Sequence, residues 1–206
     1  MKIVFLLPLF LLLFSCKKNN GNENIIDKTE KQDLSITAGE QNDTVKYLDF
    51  NPDIIVQIKE VSCKSYYGCD SIDFDNDSKY DFKINYSVVY PDLDYSCGCS
   101  GDCFPSGYQD IELIRLNTKY QISIDSGRII HQFSFNDKIS ENNKWDTSAN
   151  SYFANATFPN FMYKWSNVDN KYIGIRFIDK DTIYGWIRIS CHDTITIKDC
   201  GLKIKK

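Results

Sequence analysis

The stretch Asp73-Phe74-Asp75-Asn76-Asp77-Ser78-Lys79-Tyr80-Asp81 places carboxylates at its first, third, fifth and ninth positions. Alternate residues of a tight loop can turn their side chains onto one centre, and hard oxygen donors so spaced suit calcium, which takes about six to eight oxygens. Asp73, Asp75, Asp77 and Asp81 are therefore the candidate metal ligands, and Asp70, Asp92 and Asp94 are near enough in sequence to complete a shell. Two residues limit the reading. Ser78 stands where such loops usually turn on a glycine, and Ile84, at the twelfth position, cannot supply the bidentate carboxylate of an EF-hand. The competing reading is a solvated acidic hairpin turn, since Asp and Asn are common turn residues.

Cysteine is the second reactive residue type. Beyond Cys16 the chain carries Cys63, Cys69, Cys97, Cys99, Cys103, Cys191 and Cys200. In an exported chain these are disulfide candidates, with one thiol left over. Cys63 and Cys69 could close a small loop, and Cys191 and Cys200 could pin the carboxyl end across a hairpin. Cys97-Gly98-Cys99-Ser100-Gly101-Asp102-Cys103 reads as a stapled loop. A thiolate metal or redox site is its alternative, although it has neither the C-x-x-C spacing nor a nearby histidine.

No catalytic residue is assigned. His131 and His192 stand near no G-x-S-x-G, H-E-x-x-H or phosphate-loop motif. His131, alternating with Ile129 and Phe133, is expected to be a hydrogen-bonded core histidine. Glycoside hydrolysis needs only two carboxylates about 5 to 9.5 Å apart, so a carbohydrate-active hydrolase is kept as an alternative function.

These groups have to be carried on strands. The segment Tyr80, Phe82, Ile84, Tyr86, Val88 and Tyr90 alternates with mostly polar residues, which puts one apolar face on a core. Similar alternation covers 54–61, 111–116, 120–124, 129–135, 172–178, 182–189, 194–198 and 202–205, separated by turn signals such as Asp125-Ser126-Gly127. The economical fold is all-β, an antiparallel sandwich of jelly-roll-like type, forming a single domain over 47–206. The polar segment 136–150 is expected to be an excursion loop with one helical turn. Trp145, Trp165 and Trp186 are expected to pack in the core, with sugar stacking as the alternative.

Ahead of this domain, Lys2 and the apolar run from Ile3 to Phe14 form a signal-peptide core, too short to span a bilayer, which needs about 20 apolar residues. Residues 16–46 are polar, lack aromatic side chains and read as a flexible tether. The net charge of −4 and pI near 5.2 offer no basic field, so nucleic acid is not an expected partner.

Leu13-Phe14-Ser15-Cys16 resembles the lipobox of bacterial lipoproteins, with Phe14 departing from the small or β-branched residue usual there. The resemblance implies cleavage after residue 15, acylation of Cys16 and attachment of the mature chain to a lipid bilayer. Lys17 in place of an inner-membrane retention Asp implies the outer membrane, on its periplasmic or cell-surface face. The acidic stretch is similar to the calcium loops of dockerin-like and thrombospondin-type repeats. The acidic turn running into Tyr80-Asp81-Phe82-Lys83-Ile84, with Tyr184-Gly185-Trp186-Ile187-Arg188-Ile189-Ser190, resembles a broad group of exported β-proteins, many of them Bacteroidota lipoproteins. That resemblance implies a sandwich and brings no activity. The expected function is a non-catalytic surface lipoprotein that binds a glycan or a protein, calcium stiffening one loop. A structural or assembly lipoprotein with no small ligand is the further alternative.

Overall fold

A computed structural model of the chain describes residues 35–62, 65–89, 108–157, 164–192 and 194–204, all within one compact unit, Asp33–Lys206. The signal segment, Cys16 and the tether up to residue 34 lie outside the described residues, as do Cys63, Asp92, Asp94, Cys97, Cys99 and Cys103. The described elements are all strands. They are β1 (Ile36–Thr37), β2 (Val45–Ile55), β3 (Ile58–Ser62), β4 (Ser65–Ile72), β5 (Phe82–Val89), β6 (Tyr108–Arg115) and β7 (Tyr120–Ser123). They continue with β8 (Lys138–Ile139), β9 (Trp145–Asp146), β10 (Asn150–Thr157), β11 (Val168–Ile178), β12 (Thr182–Cys191) and β13 (Ile195–Lys203).

These strands form a five-stranded sheet, β10-β6-β5-β4-β3, and a six-stranded sheet, β2-β13-β12-β11-β7-β9, all antiparallel. The expected sandwich is the observed fold. Phe82, Ile84, Tyr86 and Val88 of β5 face inward with Ile111 and Leu113 of β6, and meet Ile173, Ile175, Ile187 and Ile189 of the opposite sheet. Period-two alternation therefore places one side chain in two in the core along β5, while Lys83, Asn85 and Ser87 look outward.

Several boundaries differ from the sequence reading. The run 54–61 is a corner: β2 ends in one sheet and β3 begins in the other, with Val56 buried at the crossing. Residues 129–135 make only isolated bridges, because the chain bends to turn Ile130 and Phe133 inward, leaving His131 half-buried at the surface. Segments 194–198 and 202–205 belong to a single strand, β13, which absorbs Lys198 as a bulge. Segment 136–150 has no helical turn; it holds β8 and β9.

The ordered fold also starts earlier than residue 47. β1 pairs with β8, and Ile36, Ala38 and Val45 join Phe133, Ile139, Tyr172, Tyr184 and Trp186 in a second apolar cluster on the far face of the six-stranded sheet. Three spaced apolar residues in a polar stretch are enough to fix it there, since burying one Ile side chain contributes about 1.5–3 kcal/mol. Trp165 and Trp186 are fully buried, and the Trp145 ring is covered by the Arg176 guanidinium at 4.8 Å, so all three indoles are used in packing.

Candidate metal centre

The acidic loop joins β4 to β5 and is seated on the core by Phe74, whose ring meets Phe82 and Tyr120 edge-on at 6.0 and 5.6 Å. Asn76 (φ 57°) and Ser78 (φ 71°) turn the chain through the left-handed region. Ser78 thus adopts the conformation that glycine would take in a related loop, at a cost of about 1–2 kcal/mol. Its N–H donates to Asp73 Oδ2 at 2.8 Å and that of Asp77 to Asp73 Oδ1 at 3.1 Å, which offsets the strain.

Three of the four predicted ligands converge. Asp73, Asp75 and Asp81 each offer a carboxylate oxygen, and these lie within 4.8 Å of one another. Two oxygens on opposite sides of one calcium ion are about 4.6–5.2 Å apart, from the usual bond length of about 2.3–2.6 Å. Asp77 is not in the group. Its Oδ1 accepts the Lys79 N–H at 2.9 Å, so it closes its own exposed turn. Asp70 is likewise spent locally, accepting the N–H of Ser71 at 2.7 Å.

The three carboxylates differ in setting. Asp81 is 2 % exposed, and its oxygens accept from the Phe74 N–H at 3.0 Å and Asn117 Nδ2 at 3.1 Å. Burial raises its carboxyl above the ordinary range and the Asp75 charge adds to the rise, with the Asn117 and Phe74 bonds only partly offsetting it. Asp75 Oδ2 accepts the Tyr120 hydroxyl at 2.9 Å, while Oδ1 is buried without a hydrogen-bond partner. The Asp75 carbonyl accepts from Lys46 Nζ. Burial raises the Tyr120 phenol far above its ordinary value, and the bond to Asp75 adds to this, so it remains a donor.

A buried, unpartnered carboxylate oxygen is costly. A divalent cation bound by Asp73, Asp75 and Asp81 would satisfy Asp75 Oδ1 and neutralise the charge that raises Asp81. The donor set is all oxygen, which fits a hard cation. Tyr120, Asn117 and Lys46 hold this centre from three other elements, and no local spacing links them to it.

The remaining reactive groups are tied into the structure. His131 Nδ1 is bonded to Asp125 Oδ1, whose other oxygen pairs with Lys164 at 2.7 Å. His131 is therefore hydrogen-bonded, but not in the core. Glu112 lies beside Asp110 on the outer face of β6. Burial raises its carboxyl, and the Asp110 charge adds to the rise.

Cys69 is free, with its candidate partner Cys63 outside the described residues; Cys191 and Cys200 are also free, so no bridge joins them. The register explains the second case, since Cys191 faces Ile195 and Cys200 faces Ile187. Burial pushes the Cys191 thiol up to about 12, and burial also raises Cys200. Searched against protein-family models, curated proteins and solved structures, the chain matches none of them.

Proposed function

We propose that this chain is a lipid-anchored binding protein of the cell envelope. In this reading Cys16 is acylated, the chain is held at the outer membrane on its periplasmic or surface face, and the sandwich binds a glycan or a protein without catalysis. Calcium on Asp73, Asp75 and Asp81 stiffens the loop. The observation that carries the reading is the rim of that loop. Tyr80 is 64 % exposed, and Leu116, whose N–H is bonded to the Asp81 carbonyl at 2.8 Å, is 49 % exposed. An exposed ring and an exposed apolar side chain beside an oxygen-lined cation centre combine the features that binding surfaces use.

The test is a glycan array probed with the full chain in detergent, with calcium and with chelator, run beside an assay for glycoside hydrolysis. Binding that disappears with chelator and in Tyr80→Ala supports the reading. Turnover of any polysaccharide would reject the non-catalytic assignment. Silence in both assays favours an assembly component with no small ligand.

A further inference from the structure

The segment 35–44 lies over the far face of the six-stranded sheet, where Ile36 and Ala38 close the second apolar cluster. Its lateral attachment is short. Ile36 and Thr37 pair with Ile139 and Lys138, while Ala38 exchanges backbone bonds with Asp137 at 2.9 Å and Asn136 at 3.0 Å. Midway along, it is latched to β13 by an ion pair, Glu40 to Lys203 at 3.0 Å; Glu40 also accepts the Thr37 N–H at 2.9 Å, and at the segment's end the Thr44 carbonyl accepts the Ile204 N–H at 2.8 Å. The sheet beneath is built differently, with β11, β12 and β13 paired along most of their length.

What the segment covers is aromatic. Trp186 is 0 % exposed and faces Gly174 on one neighbouring strand and Gly201 on the other. The indole lies directly over Gly201, where a Cβ would come within 2.7 Å of its Cε2. Tyr172 meets the indole edge-on at 5.4 Å, and Tyr184 completes the cluster. Trp186 Nε1 is buried with no hydrogen-bond partner. The closed arrangement therefore leaves a desolvated donor unsatisfied, a cost relieved when water or an acceptor reaches it.

We infer that residues 35–44 form a strap that opens as a unit, separately from the sheet below, and that Glu40–Lys203 is its latch. Opening bares Trp186, Tyr172 and Tyr184 as an aromatic row and frees the Trp186 N–H. Local opening of this kind is expected where few ladder bonds hold a segment over a sheet that is itself paired along most of its length.

Amide exchange on the full chain tests it, with mass-spectrometric or nuclear-magnetic readout. The amides of Ala38, Glu40 and Asn136 should exchange together, about a hundredfold or more faster than those of Ile187 and Ile189. Glu40→Gln should accelerate the strap amides about tenfold and leave β12 unchanged. Lys203→Met removes the same ion pair from the sheet side and should reproduce the effect. Equal protection of strap and β12 overturns the separate unit. Acceleration of both together, or of neither, in the two variants overturns the latch.

Discussion

Tyr120 and Asp75 stand 45 positions apart in the chain, and in the fold the phenol donates to the carboxylate at 2.9 Å. Tyr120 begins β7 of the six-stranded sheet, whereas Asp75 belongs to the loop between two strands of the other sheet. One hydrogen bond thus clasps the two layers at the end where the acidic loop sits. Tyr120→Phe keeps the ring packed on Phe74, Phe82 and Phe177 and deletes only the hydroxyl. The expected loss in metal-free protein is about 1–3 kcal/mol, read as a lower urea midpoint at unchanged slope. A variant as stable as the parent would show that the clasp contributes nothing.

Calcium should raise the melting temperature of the chain. At a concentration about a hundredfold above its dissociation constant, a ligand stabilises the fold by about 2.7 kcal/mol. For a domain of this size that corresponds to a rise of about 5–10 °C. Asp75→Ala should abolish the rise, and Asp77→Ala should retain it, because Asp77 caps Lys79 and takes no part in the triad. Equal loss in both variants would contradict the three-carboxylate centre.

Gly201→Ala should be costly for a reason confined to one ring. The added methyl would lie 2.7 Å from Trp186 Cε2 and 2.9 Å from its Nε1, on an indole sealed into the second cluster. Overpacking of this kind costs about 1–3 kcal/mol. Thermal unfolding together with the near-ultraviolet tryptophan signal checks it, and an unchanged signal at unchanged stability would count against the packing described.

Asp146 should shape the acid limb of stability. Burial raises its carboxyl, but the Ser148 backbone N–H and the hydroxyls of Ser148 and Ser151 outweigh that, so the net shift is downward. A carboxylate depressed in the folded state stabilises the fold above the unfolded-state pKa of about 3.9, and that contribution is lost as pH falls through the folded value. Asp146→Asn should therefore lose most against the parent near neutral pH, the gap narrowing progressively below about pH 4. Denaturant titrations at a series of pH values measure this gap, and a constant difference would refute the assignment.

The sandwich was readable because β5 alternates so cleanly, each apolar side chain falling on one face from Phe82 to Val88. β4 was hidden, since Gly68, Cys69 and Asp70 look like turn punctuation. Gly68 is instead the place where the crossing chain comes close, as a Cβ there would meet the Gln57 carbonyl at 2.5 Å. The acidic loop was readable as a group of carboxylates, but spacing alone could not separate Asp77 from its neighbours. That choice is made by the left-handed turns at Asn76 and Ser78, which direct Asp77 onto Lys79. Tyr120 and Asn117 were out of reach for a different reason. They come to the site through sheet packing, and only tertiary structure brings them there.

β2 pairs with β13, so that Val45 faces Lys203 and Tyr47 faces Gly201. The first long strand of the six-stranded sheet therefore waits for the last. The sheet cannot close until β13 is available to pair, and ordering so distant a pair carries the loop-closure cost of the intervening residues. Removing β13 would leave β2 an orphan edge and strip Trp186 of the backbone on which it rests.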